Sequence, residues 1–368
     1  MKGRILGSTA MAAATMLLAA NGAHGAEKIK LGLGGYWKAL AVAGSQSDGT
    51  GQPGANIRQH GFAQESEVNF TGETTLDNGI MVGVNVQLEA ETSADQIDES
   101  YIYAEGSFGR LEFGQEDPAS DAMFYGSPAP IEGVGLASPD FVHATLGNTP
   151  ATPAVISNIS GDANKMTYFT PRMQGIQLGL SYTPDGCAAP GCLTVATGLL
   201  SQITAAQQSE LVEGAINYAR EFSGGEIGLY AGFAKGDLEV PAAGAEDQDQ
   251  WGVGFTLVYG DITFGADYRQ DDQATSAANT DRKDYSVGVA YALGNWSIGA
   301  AYAHAETEEG TGLGTDETDG YQIGANYTLG PGILLIGGVT IWDVEDNLNA
   351  VGVENDARVF TFGTILEF

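Results

Sequence analysis

Positive charge is scarce in this chain. Lys and Arg number 15 against 47 Asp and Glu among 368 residues, a formal net charge of −32. A surface this acidic repels phosphate backbones and argues against nucleic acid as a partner. Histidine is scarcer still. Beyond the N-terminal segment only His60, His143 and His304 remain, and none stands in a recognisable Ser/His/Asp context, so catalysis is poorly supported. The Gly-rich stretches lack any phosphate-loop pattern. After residue 25 there is no run of ~20 apolar residues of the kind a membrane helix needs, and no helical stripe lasts longer than two turns. Disorder is excluded from the other side, because 15 Tyr, 14 Phe and 4 Trp need somewhere to pack.

Residues 1–25 read as a targeting segment. Lys2 and Arg4 precede an apolar Ala/Met/Leu stretch, and Ala23-His24-Gly25 supplies small residues for a peptidase. A secretory signal peptide cleaved after Gly25 is expected. Cysteine occurs twice, at Cys187 and Cys192 in a turn-rich stretch. In an exported chain a local disulfide clipping that loop is expected. A thiol metal site would need further ligands, and no His lies nearby in the sequence.

What is abundant is glycine, 53 residues, roughly twice the usual share, and alternation. Trp251, Val253, Phe255, Leu257 and Tyr259 alternate with Gly252, Gly254, Thr256 and Val258. Ile262, Phe264, Ala266 and Tyr268 alternate with Thr263, Gly265, Asp267 and Arg269. This is the strand period. It predicts sixteen strands: 28–43, 58–74, 80–92, 98–106, 110–117, 164–172, 174–184, 209–222, 225–236, 249–259, 261–272, 281–293, 295–307, 318–329, 332–344 and 356–368. Short turns such as Asp77-Asn78-Gly79 interleave strictly with long acidic loops, so the hairpins have two different ends.

A soluble sandwich would bury the aromatic-aliphatic face, whereas a transmembrane barrel turns it to lipid and turns the small polar face to a lumen. Strands of ~9–12 residues span a bilayer when tilted. Aromatics at strand ends (Trp37, Tyr259, Tyr291, Trp296, Tyr327) suit interfacial girdles. The expected fold is all-β, a sixteen-stranded antiparallel transmembrane barrel over residues 26–368, and sixteen strands leave an aqueous channel. Small inward residues after residue 225 are expected to widen it.

Three segments carry a family resemblance. Gly106-Ser-Phe-Gly-Arg-Leu-Glu-Phe-Gly-Gln115, the terminal Phe368 closing an alternating strand, and Asn164-Lys-Met-Thr-Tyr-Phe-Thr-Pro171 are similar to motifs of Gram-negative general porins. The chain most resembles the Gly-rich, acidic porins of alphaproteobacteria, although that family often carries a basic residue where Thr167 stands. The resemblance implies a homotrimer of barrels in the bacterial outer membrane, among outer-membrane lipid and lipopolysaccharide. It also implies a third long loop, here 117–163, that folds inward and constricts the pore. Small hydrophilic solutes and ions would diffuse through passively, with no enzyme activity.

Such a channel sets a diameter and a field. The expected constriction acids are Glu116, Asp117, Asp121, Glu132 and Asp140. Parity from Trp37, Leu111, Phe113, Met166 and Tyr168, all outward, turns Lys38, Arg110 and Lys165 inward, and Arg269 shares the inner face with Asp267. Glu65, Glu67, Asn69 and Glu73 also face in. A basic wall opposite an acidic loop would set up a transverse field, and the overall charge predicts cation preference. No cofactor is expected, with structural calcium a possible exception at Asp271, Asp272, Asp343 and Asp346. Two other readings stay open: a solute-specific channel using Phe124, Tyr125 and Phe141, and a structural barrel whose loop blocks the lumen. Flat Gly/Ala-rich outward strands could form the subunit interface.

Overall fold

The computed structural model describes residues 28–48, 54–91, 96–138, 152–187, 207–240, 247–273, 281–308, 314–345 and 354–368. The expected signal peptide lies outside them, as do Asp140, Phe141, His143, Cys192 and Asp346.

The alternating segments form strands. In chain order they are β1 (Lys30–Ser45), β2 (His60–Thr75), β3 (Met81–Glu89), β4 (Ile97–Gly106), β5 (Gly109–Gln115), β6 (Asn164–Phe169), β7 (Ile176–Asp185) and β8 (Gln208–Phe222). The second half continues with β9 (Gly225–Leu238), β10 (Gln248–Tyr259), β11 (Ile262–Asp271), β12 (Arg282–Leu293), β13 (Trp296–Glu308), β14 (Thr315–Gly330), β15 (Ile333–Glu345) and β16 (Asn355–Glu367). Each pairs antiparallel with its sequence neighbours, and β1 closes on β16 through Trp37↔Leu366 and Ala41↔Phe362. Closure leaves no unpaired sheet edge, the condition for crossing hydrocarbon with strands. No helix among the described residues is long and apolar enough to cross a membrane.

The outward face is apolar. Phe62 is 91% exposed, Leu31 85% and Ile323 66%, exposures that would be a liability in water and are natural against lipid. Outward aromatics make two bands. Trp251 packs on Tyr268, and Tyr302 on Tyr321, towards the long-loop end, while Trp296 packs on Tyr327 towards the short-turn end. On β10, Trp251 and Tyr259 are eight residues apart, about 27 Å along the strand.

The packed core lies inside the barrel, between wall and loop. After β5 the chain turns inward, forms one helical turn, α1 (Ala119–Ala122), against β6 to β9, and then follows the inner wall towards β15, β16 and β1. Ile131 and Val134 pack on Leu40, Ile336 and Ile365. Leu136 packs on Trp342, Val344, Ala303 and Ala357. The chain returns along a line nearer the long-loop end and rejoins the wall at β6.

Small inward residues therefore do not widen the lumen here; they seat the loop. A Cβ on Gly254 would run into the Tyr125 carbonyl and one on Gly265 into the Gly126 carbonyl, while one on Gly324 would lie 2.5 Å from the Pro130 carbonyl. The ladders set these glycines side by side, Gly265 opposite Gly288 and Gly299 opposite Gly324, which in turn faces Gly338. They form a groove across several strands, deep enough for a polypeptide.

Candidate functional site

A loop without regular structure must find partners for its main-chain polar groups. The barrel supplies them from inward side chains. On the outgoing limb Ser181 Oγ accepts from Ala119 N (2.8 Å), Asp267 from Ser127 N (2.7 Å), Gln322 from Ile131 N (3.2 Å) and Asn326 from Glu132 N (3.1 Å). On the return limb Asp284 accepts from Ala154 N (3.0 Å), Gln250 from Asn158 N (2.9 Å) and Glu213 from Ile159 N (2.8 Å). The side-chain bonds to the loop thus run from β7 to β14, Leu40 of β1 packs under Ile131 and Val134, and the wall left part-open to solvent is that of β2 to β4.

That open wall is acidic. Glu65, Glu67 and Glu73 point inward from β2, and Glu89 lies opposite Glu67 on β3. Tyr36, Glu65, Glu67, Glu89, Glu91 and Asp98 line a cavity of about 370 Å³. Its basic groups are already engaged. Lys38 Nζ donates to Glu65 at 2.8 Å. Arg110 bonds Glu112 and, at 3.2 Å, Glu105, and its guanidinium lies 4.0 Å from the Tyr103 ring centre. Paired cations leave the remaining carboxylates to set the sign of the field.

The expected basic wall facing an acidic loop is therefore corrected. Lys165, 1% exposed, and Arg269, 6% exposed, do face inward, but both lie beneath the loop. Lys165 bonds main-chain carbonyls of the loop. Arg269 donates to the Ile156 carbonyl (3.2 Å) and to Asp284 (3.0 Å). Parity tells which face a side chain takes and is blind to what later covers it.

The expected loop acids divide in the same way. Glu116 and Asp121 are buried at the loop root, and Asp117 is part-buried beside them. Asn158 Nδ2 donates to Asp121 (3.0 Å) and Asp117 (3.5 Å), tying the outgoing limb to the return. Burial pushes all three carboxyls above the ordinary range; Glu112 beside Glu116, and Asp121 beside Asp117, push further. These groups hold the loop rather than line the eyelet. Glu132 is half-buried, with its backbone N held by Asn326 of β14. Next to it Gly133 has φ +63°, and its backbone lies against the Lys38 stem. The wall acids Glu89, Glu91, Asp98 and Glu105 were not singled out as eyelet residues from sequence, and Glu112, 4% exposed, lies buried beside Glu116. The inward parity of Glu65, Glu67 and Glu73 was the available signal.

Other expectations resolve locally. Phe124 stacks edge-on against Tyr230 with ring centres 5.1 Å apart, and Tyr125 lies over Gly228, so both rings pack on the wall. Asp271 accepts from Gln248 and Gln250 and lies 3.6 Å from Arg269; Asp272 accepts from Asp249 N. Among the described residues no group of three or more His, Cys, Asp or Glu is placed to hold a metal ion; of the expected calcium ligands, Asp346 lies outside them. Cys187 is disulfide-bonded, and Cys192 lies outside the described residues. His304 faces outward and pairs with Asp319 at 2.8 Å.

A closed sixteen-stranded barrel with an inner loop fastened to its wall has known counterparts. The family model described as Gram-negative porin matches residues 9–347. The chain belongs to the Gram-negative porin family. A porin of Rhodobacter capsulatus is 23% identical over 300 residues, 78% of this chain and 89% of that protein. An uncharacterised protein of Rickettsia typhi is 23% identical over 292 residues, 68% of this chain; the match spans 63% of that protein's length. Among solved structures, an anion-selective porin from Comamonas acidovorans superposes with a TM-score of 0.63 at 14% identity, covering 93% of this chain and all of that one. The porin fold and family place this barrel in the outer membrane of a Gram-negative cell, and it is not an enzyme.

Proposed function

We propose that this porin is a water-filled channel through which small hydrophilic solutes and ions diffuse passively, with a preference for cations. The carrying observation is the unequal lumen. The side left open by the loop carries Glu65, Glu67, Glu89, Glu91 and Asp98 around one cavity, while Lys38 and Arg110 are paired with carboxylates of the same wall. Fixed negative charge in a narrow aqueous passage concentrates cations and slows anions. The fold it shares with an anion-selective porin is no obstacle, because selectivity belongs to lining charges and not to the strands. Rings packed on the wall at Phe124 and Tyr125 offer no ladder for a specific solute, which favours general diffusion.

The outward face supports assembly with further copies of the chain. Outward Tyr and Trp mark β6 to β8 and β10 to β14 (Tyr168, Tyr182, Trp251, Tyr285, Trp296 and Tyr321 among them), whereas on β1 to β5, β15 and β16 the outward face carries Trp37 alone of these types. An interfacial girdle missing from one side suits a side covered by neighbouring subunits, as in a homotrimer, with lipid and lipopolysaccharide around the rest.

The test is single-channel recording in a planar bilayer under a KCl gradient, with unheated gel mobility for assembly. Stepwise ohmic conductance, a cation-selective reversal potential and a heat-sensitive oligomer are expected. Folded, inserted protein that conducts nothing contradicts the reading.

A further inference from the structure

Lys165 stands on the inner face of β6, sealed from solvent. A buried ammonium must satisfy three N–H groups. Here all three go to main-chain carbonyls: Glu116, where the loop leaves the wall, and Gly161 (2.6 Å) and Ala163 (2.9 Å), where it returns. One side chain thus joins both ends of the inner loop.

Its surroundings are anionic from every side. Asp117 and Asp121 come from the outgoing limb, Asp162 from the return limb and Glu213 from β8. Glu112 of β5 stands against Glu116, and Asp98 and Glu99 of β4 lie near Asp117. Tyr230 of β9 borders Asp121 and donates to the Ser120 carbonyl (2.7 Å). Three buried carboxylate oxygens, Glu116 Oε1, Asp121 Oδ1 and Glu213 Oε2, have no hydrogen-bond partner in the protein. Buried carboxylates with one oxygen unpartnered depend on nearby positive charge.

We propose that Lys165 is a positioning residue for the pore: its ammonium clamps the two limbs of the inner loop and offsets the buried carboxylates around them, holding the passage at one width. It touches no permeating solute. A neutral side chain of the same length would fill the space, lose the clamp and leave the acids to repel one another. The inference rests on the channel reading for its conductance readout and is independent of it for its structural one.

Lys165→Met keeps the apolar stem and removes the charge. At about pH 8, above the raised values of Asp117 (about 7) and Asp121 (about 6), this variant is expected to conduct with open-channel noise several-fold above wild type. Amide exchange over residues 119–138 should accelerate. Lowering the pH to about 5 should quieten the channel, because protonated acids need no counter-charge. Adding Glu213→Gln to Lys165→Met should do the same at the higher pH, which a purely space-filling role would not. A Lys165→Met channel as quiet and as slowly exchanging as wild type overturns the proposal. So does noise that neither acid nor Glu213→Gln relieves. If Lys165→Met does not assemble, the double variant must recover assembly, and its failure overturns the proposal equally. A wild-type protein that does not conduct would remove the channel reading alone, because accelerated exchange still reads the clamp.

Discussion

Glu67 on β2 and Glu89 on β3 are direct cross-strand partners, both turned to the open side of the lumen. Like charges in that position disfavour the sheet, and Glu65 and Asp98 add to the repulsion. In the channel proposed above, an arrangement that costs stability would serve the field of the passage. Glu67 is itself 9% exposed, as is Asp121 of the loop root, whereas Glu65, Glu89 and Asp98 around it are half-buried.

Arg269 belongs to that anchorage. It is buried between Asp284 and the Ile156 carbonyl. Arg269→Gln is expected to lower stability by about 3 kcal/mol and to leave the reversal potential unchanged. Thermal unfolding in detergent and bilayer recording separate the two. A large selectivity change with unaltered stability would place Arg269 in the pore.

The glycine groove sets where the loop lies. Gly265→Val must move the Gly126 carbonyl off the wall, at a cost of roughly 1–3 kcal/mol, and should push the loop into the lumen and reduce conductance. Gly61→Ala, where a Cβ meets nothing nearer than 3.9 Å, should conduct as wild type does. Equal conductance in all three proteins would contradict the seating of the loop.

Trp342 is 2% exposed although it stands on the inner face of β15. It anchors the far part of the loop through Leu136. Trp342→Ala should destabilise by about 3–5 kcal/mol and speed amide exchange at 131–137. Unchanged exchange there would show that the hydrogen bonds alone hold the loop.

The loop root should respond to pH in a fixed direction. Burial raises the carboxyls of Asp117 and Asp121 above their ordinary values. Groups raised on folding stabilise most when protonated; that contribution is complete below the ordinary carboxylate pKa and is lost as pH climbs through the raised one. Exchange protection over 119–124, corrected for intrinsic rates, should therefore fall between about pH 5 and about pH 8. Asp121→Asn should flatten the profile. Protection that rises over this range would contradict the assignment.

Much of this architecture is legible in the sequence because strand alternation is a local property. Trp37 outward and Lys38 inward follow from parity, and the interleaving of short and long connections gives the strand count. The path of the inner loop depends on contacts between distant segments, so Lys165 and Arg269 read as open-wall cations although the loop covers them. The groove itself left a trace. Folding β14 onto β15 about the turn at Gly332 brings Gly324 opposite Gly338, and a glycine facing a glycine on an inner face leaves room for a passing backbone.

The most direct measurement is the reversal potential under a KCl gradient for three proteins: wild type, Glu67→Gln with Glu89→Gln, and Asp117→Asn with Asp121→Asn. Wild type should be cation-selective. The wall variant should lose much of that selectivity, and the loop-root variant should keep it. Selectivity that survives in the wall variant and disappears in the loop-root variant would return the field to the loop and contradict the account.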